Sequence, residues 1–445
     1  MLQLATAAPP GLFGRAHRRA STGLAAMNAL VGCAAFGLMT TVPVAVRELH
    51  GLRLYALAYG GFVTAGLFGG VVAGRAADRF GARRPLAAGL ALSVLALLLC
   101  GSAGSVWHLV GARCLDGFAA ALVTVGVNVS VARAYPADLR PRALSLMASA
   151  WVVPSLVGPP LAGAVTEWVG WRWVFHGLAV LTALSAAGLA VVPGRRGGPA
   201  AATVRTGLGA GALVAVGAGI LQLAGSGTDA AHLLLALPGL GLLLAGLPRL
   251  LPPGTLRAAR GLPAAVLLSA IGSGGYFTLE SFVPLVMVTE RHIPPAVQGL
   301  AFAGGAVAWA AASWAQGHLW AGVARHRLVR AGTAVVLPAA VLGALGVLPV
   351  LPGATAGAAL VVAAVGMGLL APSLLVLLMA QCPPAEQGYW TAAFQTARGL
   401  GQVLVMAVAG ALYTAAGRHG GAGLAVVVAV ALAGVLVAGR VAPRP

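Results

Sequence analysis

The chain has 445 residues, of which 59% are apolar and only 8% are Asp, Glu, Lys or Arg. A soluble domain carries about 25% charged residues, so a water-soluble globule of this composition has nothing with which to cover its surface. The same apolar content excludes intrinsic disorder, and what remains is an all-α polytopic membrane protein. There are 28 basic residues against nine acidic ones, a formal charge of +19, and every basic residue is Arg.

Arg15, Arg18 and Arg19 precede the first apolar run. That run outlasts the apolar region of a cleavable signal and reads as the first span. Stretches of about 20 apolar residues cross the hydrocarbon core as helices, and fourteen are expected. The first six lie near 22–46, 52–74, 85–104, 106–131, 142–167 and 173–193. Two more lie near 207–225 and 231–248, and the last six near 262–288, 297–320, 331–351, 356–381, 388–414 and 420–440. The loops between them are too short for a soluble catalytic or receptor domain. Breaks at 194–206 and at 249–261, the latter containing Pro252-Pro253-Gly254, divide the chain. The expected domains are a six-helix bundle over 1–193, linkers with a central transmembrane hairpin over 194–261, and a second six-helix bundle over 262–445. The hairpin reads as a spacer or lipid-facing pair.

Arg placement predicts orientation, because cytoplasmic loops retain positive charge. With the N-terminus inside, 21 Arg fall on the cytoplasmic side, among them Arg75, Arg133, Arg195, Arg196, Arg205, Arg249, Arg325, Arg440 and Arg444. Five fall outside: Arg47, Arg53, Arg172, Arg291 and Arg418. The charge is thereby assigned to topology and contact with anionic lipid rather than to nucleic acid. The expected location is the plasma membrane with both termini cytoplasmic. Cys33, Cys100, Cys114 and Cys382 are far apart, without metal-ligand spacing or a disulfide framework, and no cofactor or metal is implied.

The strongest motif follows the second span: Gly74-Arg75-Ala76-Ala77-Asp78-Arg79-Phe80-Gly81-Ala82-Arg83-Arg84. It resembles the signature loop of the major facilitator superfamily. The resemblance implies that Asp78 docks at a helix start of the other bundle, where the helix dipole favours an anion. Gly74, Asp78, Arg79, Gly81, Arg83 and Arg84 would then form a latch that holds the cytoplasmic side closed. Span five carries Pro154-Ser155-Leu156-Val157-Gly158-Pro159-Pro160-Leu161-Ala162-Gly163, followed by Trp171-Arg172-Trp173-Val174-Phe175. This is similar to the motif of the antiporter branch. Pro kinks the helix and Gly permits a close pivot, which singles out Pro154, Gly158, Pro159 and Gly163.

Span four contains Arg113-Cys114-Leu115-Asp116-Gly117, with Asp116 where the family pattern has Gln. A charge at the bilayer centre costs about 2.5–3.5 kcal/mol on insertion scales. Residues three apart share a helix face and can neutralise each other. Two readings stand for Asp116: a proton site, or a structural partner of Arg113. Glu280, in span nine, is the one acid within the spans of the second bundle, and an intramembrane carboxylate suits a group that loads and releases a proton. Trp151, Tyr276, Trp309, Gln395 and Arg398 fall inside spans and are candidates for the substrate cavity. Trp107, Trp168, Trp171, Trp173 and Trp320 lie near span ends and read as interfacial belt residues.

The chain departs from the family pattern in two further places. Span one has no acid, and the second-half copy of the latch, around Gln316-Gly317-His318, has lost its Asp. The resemblance implies a fourteen-span drug:proton antiporter: a monomer exporting small amphipathic molecules by alternating access, with protons and membrane lipids as its other partners. Export of a lipid or host metabolite is the alternative on the same fold, and proton-coupled uptake a more distant one. No nucleotide-binding loop, metal-binding His pair or nucleophile–base arrangement occurs, so an enzyme is not expected.

Overall fold

The computed structural model describes residues 12–14, 17–136, 139–192, 208–320, 322–383 and 386–442. Arg15, Arg195, Arg196, Arg205, Arg444 and the whole of the 194–206 break lie outside them. The described chain is helical. Its helices are α1 (Arg18–Glu48), α2 (Tyr55–Phe80), α3 (Arg83–Gly101), α4 (Val106–Ala134), α5 (Arg140–Ser149), α6 (Val152–Trp168) and α7 (Trp171–Ser185). They are followed by α8 (Leu208–Ala224), α9 (Ala230–Leu250), α10 (Leu262–Thr289), α11 (Pro295–His318) and α12 (Arg325–Leu345). The last three are α13 (Ala354–Gln381), α14 (Gln387–Ala415) and α15 (Gly420–Ala438). Twelve spans are long and apolar enough to cross a membrane. Two further apolar helices, α6 and α8, have 17 residues each, about 26 Å at 1.5 Å per residue.

The span expected over 142–167 is two helices. α5 ends at Ser149 and α6 begins at Val152. Pro154 sits in the first turn of α6, where its missing N–H costs nothing. That same missing N–H leaves the Ala150 carbonyl without its i+4 donor, so the helix does not run through. Pro159 and Pro160 continue inside α6.

Helices α1–α7 pack among themselves, as do α10–α15, with α3 on α4 and α12 on α13 among the most extensive contacts. The two groups meet along three seams: α6 on α11, α2 on α14, and α1 on α10. Backbones touch at the first seam. A Cβ on Gly163 would overlap the Pro295 carbonyl, and one on Gly299 would lie 2.5 Å from the Pro159 oxygen and the Pro160 Cα. Small residues allow this approach, and in lipid such packing is a principal force between helices. Gly158, by contrast, has ordinary space: its Cβ would meet Phe36 Cβ at 3.5 Å.

The hairpin divides its faces. α8 packs on both α2 and α14, covering that seam. Its Gln222 is buried against Gly60, and neither amide atom has a partner. α9 turns Leu233, Leu237, Leu240 and Leu244 outward, one face at i, i+4, i+7 and i+11, as a lipid-facing helix requires. One half of the pair is thus lipid-facing and the other is a seam helix.

Candidate functional site

The ends of the bundle differ in charge. One carries Arg75, Arg79, Arg83, Arg84, Arg133, Arg249, Arg325 and Arg330, and is called here the arginine-rich face. The arginine-poor face is closed across the seams. Arg47 of α1 donates to the Val288 carbonyl at 3.2 Å, and the Tyr55 hydroxyl of α2 donates to the Ser281 carbonyl at 2.5 Å. Beneath these bonds Tyr55 meets Phe282 edge-on, and Phe282 meets Tyr413 in the same way.

At the arginine-rich face the loop residues of the first motif are free of the other bundle. Gly74 borders open space. Asp78 is exposed and makes no hydrogen bond or ion pair among the described residues. Gly81 ends α2 at φ 82°, a left-handed conformation that an L side chain adopts at a cost. The Arg79 and Arg84 guanidinium groups lie over the Phe80 ring at 5.3 and 5.7 Å. Arg133 of α4 donates to the Ala77 carbonyl at 3.4 Å, which also accepts from the Gly81 N–H at the end of α2.

Asp116 is fully partnered. Its Oδ2 accepts from Arg113 Nη1 at 2.7 Å, and its Oδ1 accepts from Ser93 Oγ of α3 at 2.9 Å. The Arg113 guanidinium lies 4.4 Å from the centroid of Phe62 on α2. The pair therefore joins α2, α3 and α4, and both residues are 5% exposed.

Glu280 is the opposite case. It is equally buried, at 6%. Its Oε1 accepts a long bond from the Tyr276 hydroxyl at 3.4 Å, and its Oε2 has no partner. Such unpaired buried oxygens are rare and call for an explanation. Tyr276 in turn packs edge-on against Trp309 at 5.3 Å. Across the seam, Tyr59 of α2 lies within electrostatic reach of both Glu280 and Arg113. Tyr55 and Tyr59 were not singled out from the sequence. Their i, i+4 spacing on an apolar span is the signal that marks them.

The remaining candidates are dispersed. Arg398 Nε donates to Ser273 Oγ at 3.1 Å and its Nη1 to Gln395 Oε1 at 3.3 Å. It lines a small pocket of about 10 Å³ between α10, α13 and α14, about the room of one water molecule. Trp151 packs edge-on against Phe36 at 5.6 Å, away from that pocket. Trp171 is not a belt residue. It is buried, and its indole N–H donates at 2.8 Å to Oε2 of Glu48, an exposed residue at the end of α1, so the ring is covered while its polar tip reaches the rim. Trp107, Trp168, Trp173 and Trp320 are exposed.

The second-half copy of the latch has acquired an amide. Pro372 has no N–H for the Gly368 carbonyl, and Ser313 Oγ and Gln316 Nε2 of α11 donate to it at 3.1 and 2.9 Å. Gln316 Oε1 accepts from Ser373 and from Arg325. A neutral side chain thus ties α11 to the proline of α13 and to the start of α12.

The Major Facilitator Superfamily model matches residues 24–406. The chain belongs to that superfamily. It is a multi-pass membrane protein. It is 34% identical over 185 residues to the probable multidrug-efflux transporter Rv1634 of Mycobacterium tuberculosis, covering 40% of this chain and 38% of the relative. It is 24% identical over 135 residues to the multidrug efflux pump SdrM of Staphylococcus aureus, covering 30% of each. The aligned regions thus span well under half the length of these relatives. Among solved structures, a POT family transporter in complex with 5-aminolevulinic acid superposes with TM-score 0.71 at 11% identity over 96% of each chain. A D-xylose–proton symporter superposes with TM-score 0.70 at 15% identity, over 95% of this chain and 98% of its own. At such identities the likeness is one of fold.

Proposed function

We propose that this chain is a fourteen-span, proton-coupled antiporter that exports small amphipathic molecules from the cell by alternating access. On this reading α5 and α6 together make the fifth crossing, and α8 and α9 are two additional ones. The arginine-rich face is cytoplasmic under the positive-inside rule, so both termini are inside the plasma membrane and the described conformer opens inward. The exposed Asp78 fits that state, since a latch that closes the cytoplasmic side is disengaged when that side is open. Residues 1–193 and 262–445 are the two rocking bodies of a monomer. Gly163 and Gly299 provide the pivot at the α6–α11 seam, in which Gly158 takes a lesser part than its motif suggests.

The observation that carries the proton assignment is Glu280: a buried carboxyl, unpaired at Oε2, beside the seam that must open in the other state. Asp116 is assigned to structure, because Arg113 and Ser93 already satisfy it. Tyr276 links Glu280 to Trp309, and we assign the substrate path to these residues together with Arg398, Gln395 and, on the facing bundle, Trp151. One charge moving through 100 mV supplies about 2.3 kcal/mol, enough for roughly a fifty-fold gradient. The efflux proteins among the relatives favour export over uptake. The test is substrate-dependent proton flux in proteoliposomes after a pH jump. Glu280→Gln should abolish it while downhill substrate exchange persists; undiminished flux removes Glu280 from the mechanism.

A further inference from the structure

α10 is a largely apolar helix with a polar stripe along one face. Ser269, Ser273, Tyr276 and Glu280 stand at i, i+4, i+7 and i+11, one face of the helix. The two ends of this stripe hold opposite charges that are not paired with each other. At one end Arg398 binds Ser273 and Gln395, both neutral. Eight of the nine acidic residues are among those described, and none of them lies within ion-pair distance of Arg398. A guanidinium has five N–H donors, and these two bonds use two of them. Beside the half-buried group is a pocket of about 10 Å³ lined by Met367, Leu370, Leu374 and Phe394, apolar side chains next to a cation. At the other end Glu280 Oε2 has no donor. Ser273 and Glu280 are seven residues apart, about 10.5 Å along the helix axis.

We propose that the cargo is an amphipathic zwitterion, whose anionic group is received by Arg398 and whose cationic group is received by Glu280. This rests on the antiport reading above. Exchange against a proton requires cargo and proton to compete for one carboxylate, which a cationic group on Glu280 does. Cargo with an anion alone would be repelled by ionised Glu280 and would bind best when Glu280 is protonated, the opposite of exchange. Cargo with a cation alone leaves Arg398 uncompensated beside apolar side chains, an expensive arrangement for a charge. A zwitterion with its charges about two helical turns apart cancels both. As it binds from the open face, the proton on Glu280 leaves to the water there, and no covalent bond changes.

The test uses three probes of equal chain length: 8-aminooctanoate, whose charges stand about 10 Å apart when extended, octanoate and octylamine. Binding is measured by calorimetry on the full chain in lipid nanodiscs, at one pH and without a gradient. The double variant R398Q/E280Q reports partitioning into lipid. Charge-assisted hydrogen bonds are the strong ones, so the zwitterion should bind on the order of tenfold tighter than either single-charge probe. Arg398→Gln should reduce zwitterion binding to the level of octylamine, Glu280→Gln should reduce it to that of octanoate, and Arg398→Lys should restore part of the loss. Equal binding of the zwitterion and octylamine by the unmodified chain, or unchanged zwitterion binding in Arg398→Gln, overturns the proposal. The readout is independent of transport. A zwitterion preference without proton flux would support the site and sink antiport, and flux without the preference would sink the site alone.

Discussion

Removing the carboxylate of Asp116 tests whether the Arg113–Asp116 pair holds the fold or carries protons. In Asp116→Ala, Arg113 loses its 2.7 Å partner and Ser93 loses its acceptor. The guanidinium is left with the Phe62 ring as its neighbour, and its Nε is already without a hydrogen bond. Breaking a buried pair on one side costs about 3–5 kcal/mol, a shift of roughly two to three and a half powers of ten in the folding equilibrium. Replacing both partners by apolar residues is often neutral or stabilising, so Arg113→Leu/Asp116→Leu should recover most of the loss. The assay is thermal unfolding of the purified protein followed by size-exclusion profile, with proton flux measured on the same samples. Asp116→Ala should fall well below the unmodified protein in midpoint. The double variant should return towards it and retain substrate-dependent flux. A double variant that folds normally but has lost proton coupling would refute the structural assignment and return Asp116 to the mechanism.

Asp78→Asn keeps shape but loses the charge–dipole contact, worth about 0.3–1 kcal/mol at an exposed helix end. The inward-open population should rise by a factor of roughly two to five in spin-label distance distributions, and export should fall; an unchanged ratio with normal export would remove the latch. Gly299→Leu places a side chain on the Pro159–Pro160 backbone, so the arginine-poor side of the α6–α11 seam should be held apart, with longer label distances there. Gly158→Ala, which meets only ordinary contacts, should behave as the unmodified protein, and the reverse ranking would move the pivot to Gly158. Tyr59→Phe removes the hydroxyl within electrostatic reach of Glu280. It should lower coupled exchange several-fold without altering thermal stability, and unaltered exchange would show that the hydroxyl has no part in the proton step.

The sequence alone determined that the chain is a polytopic membrane protein of this superfamily. Apolar runs of span length admit few alternatives to transmembrane helices, because backbone groups in lipid must be satisfied within the segment. The Gly74–Arg84 and Pro154–Gly163 motifs supplied the family. The rarity of acids drew attention to Asp116 and Glu280, since each buried carboxylate carries an insertion cost. Which of the two stays unpaired was decided by tertiary structure. Arg113 is legible as a neighbour of Asp116 at i, i+3, but Ser93 and Phe62 reach the pair from other helices. Their contact depends on how α2, α3 and α4 are rotated about their axes. Hydropathy does not encode that rotation, because helices that are apolar on every side have no solvent face to orient them. The same holds for Tyr59 beside Glu280 and for Gln222 of α8 against Gly60. It also holds for Trp171, whose position near a span end suggested the interface, while packing of α7 against other helices buries its ring and leaves its N–H to meet Glu48, 123 residues away in sequence.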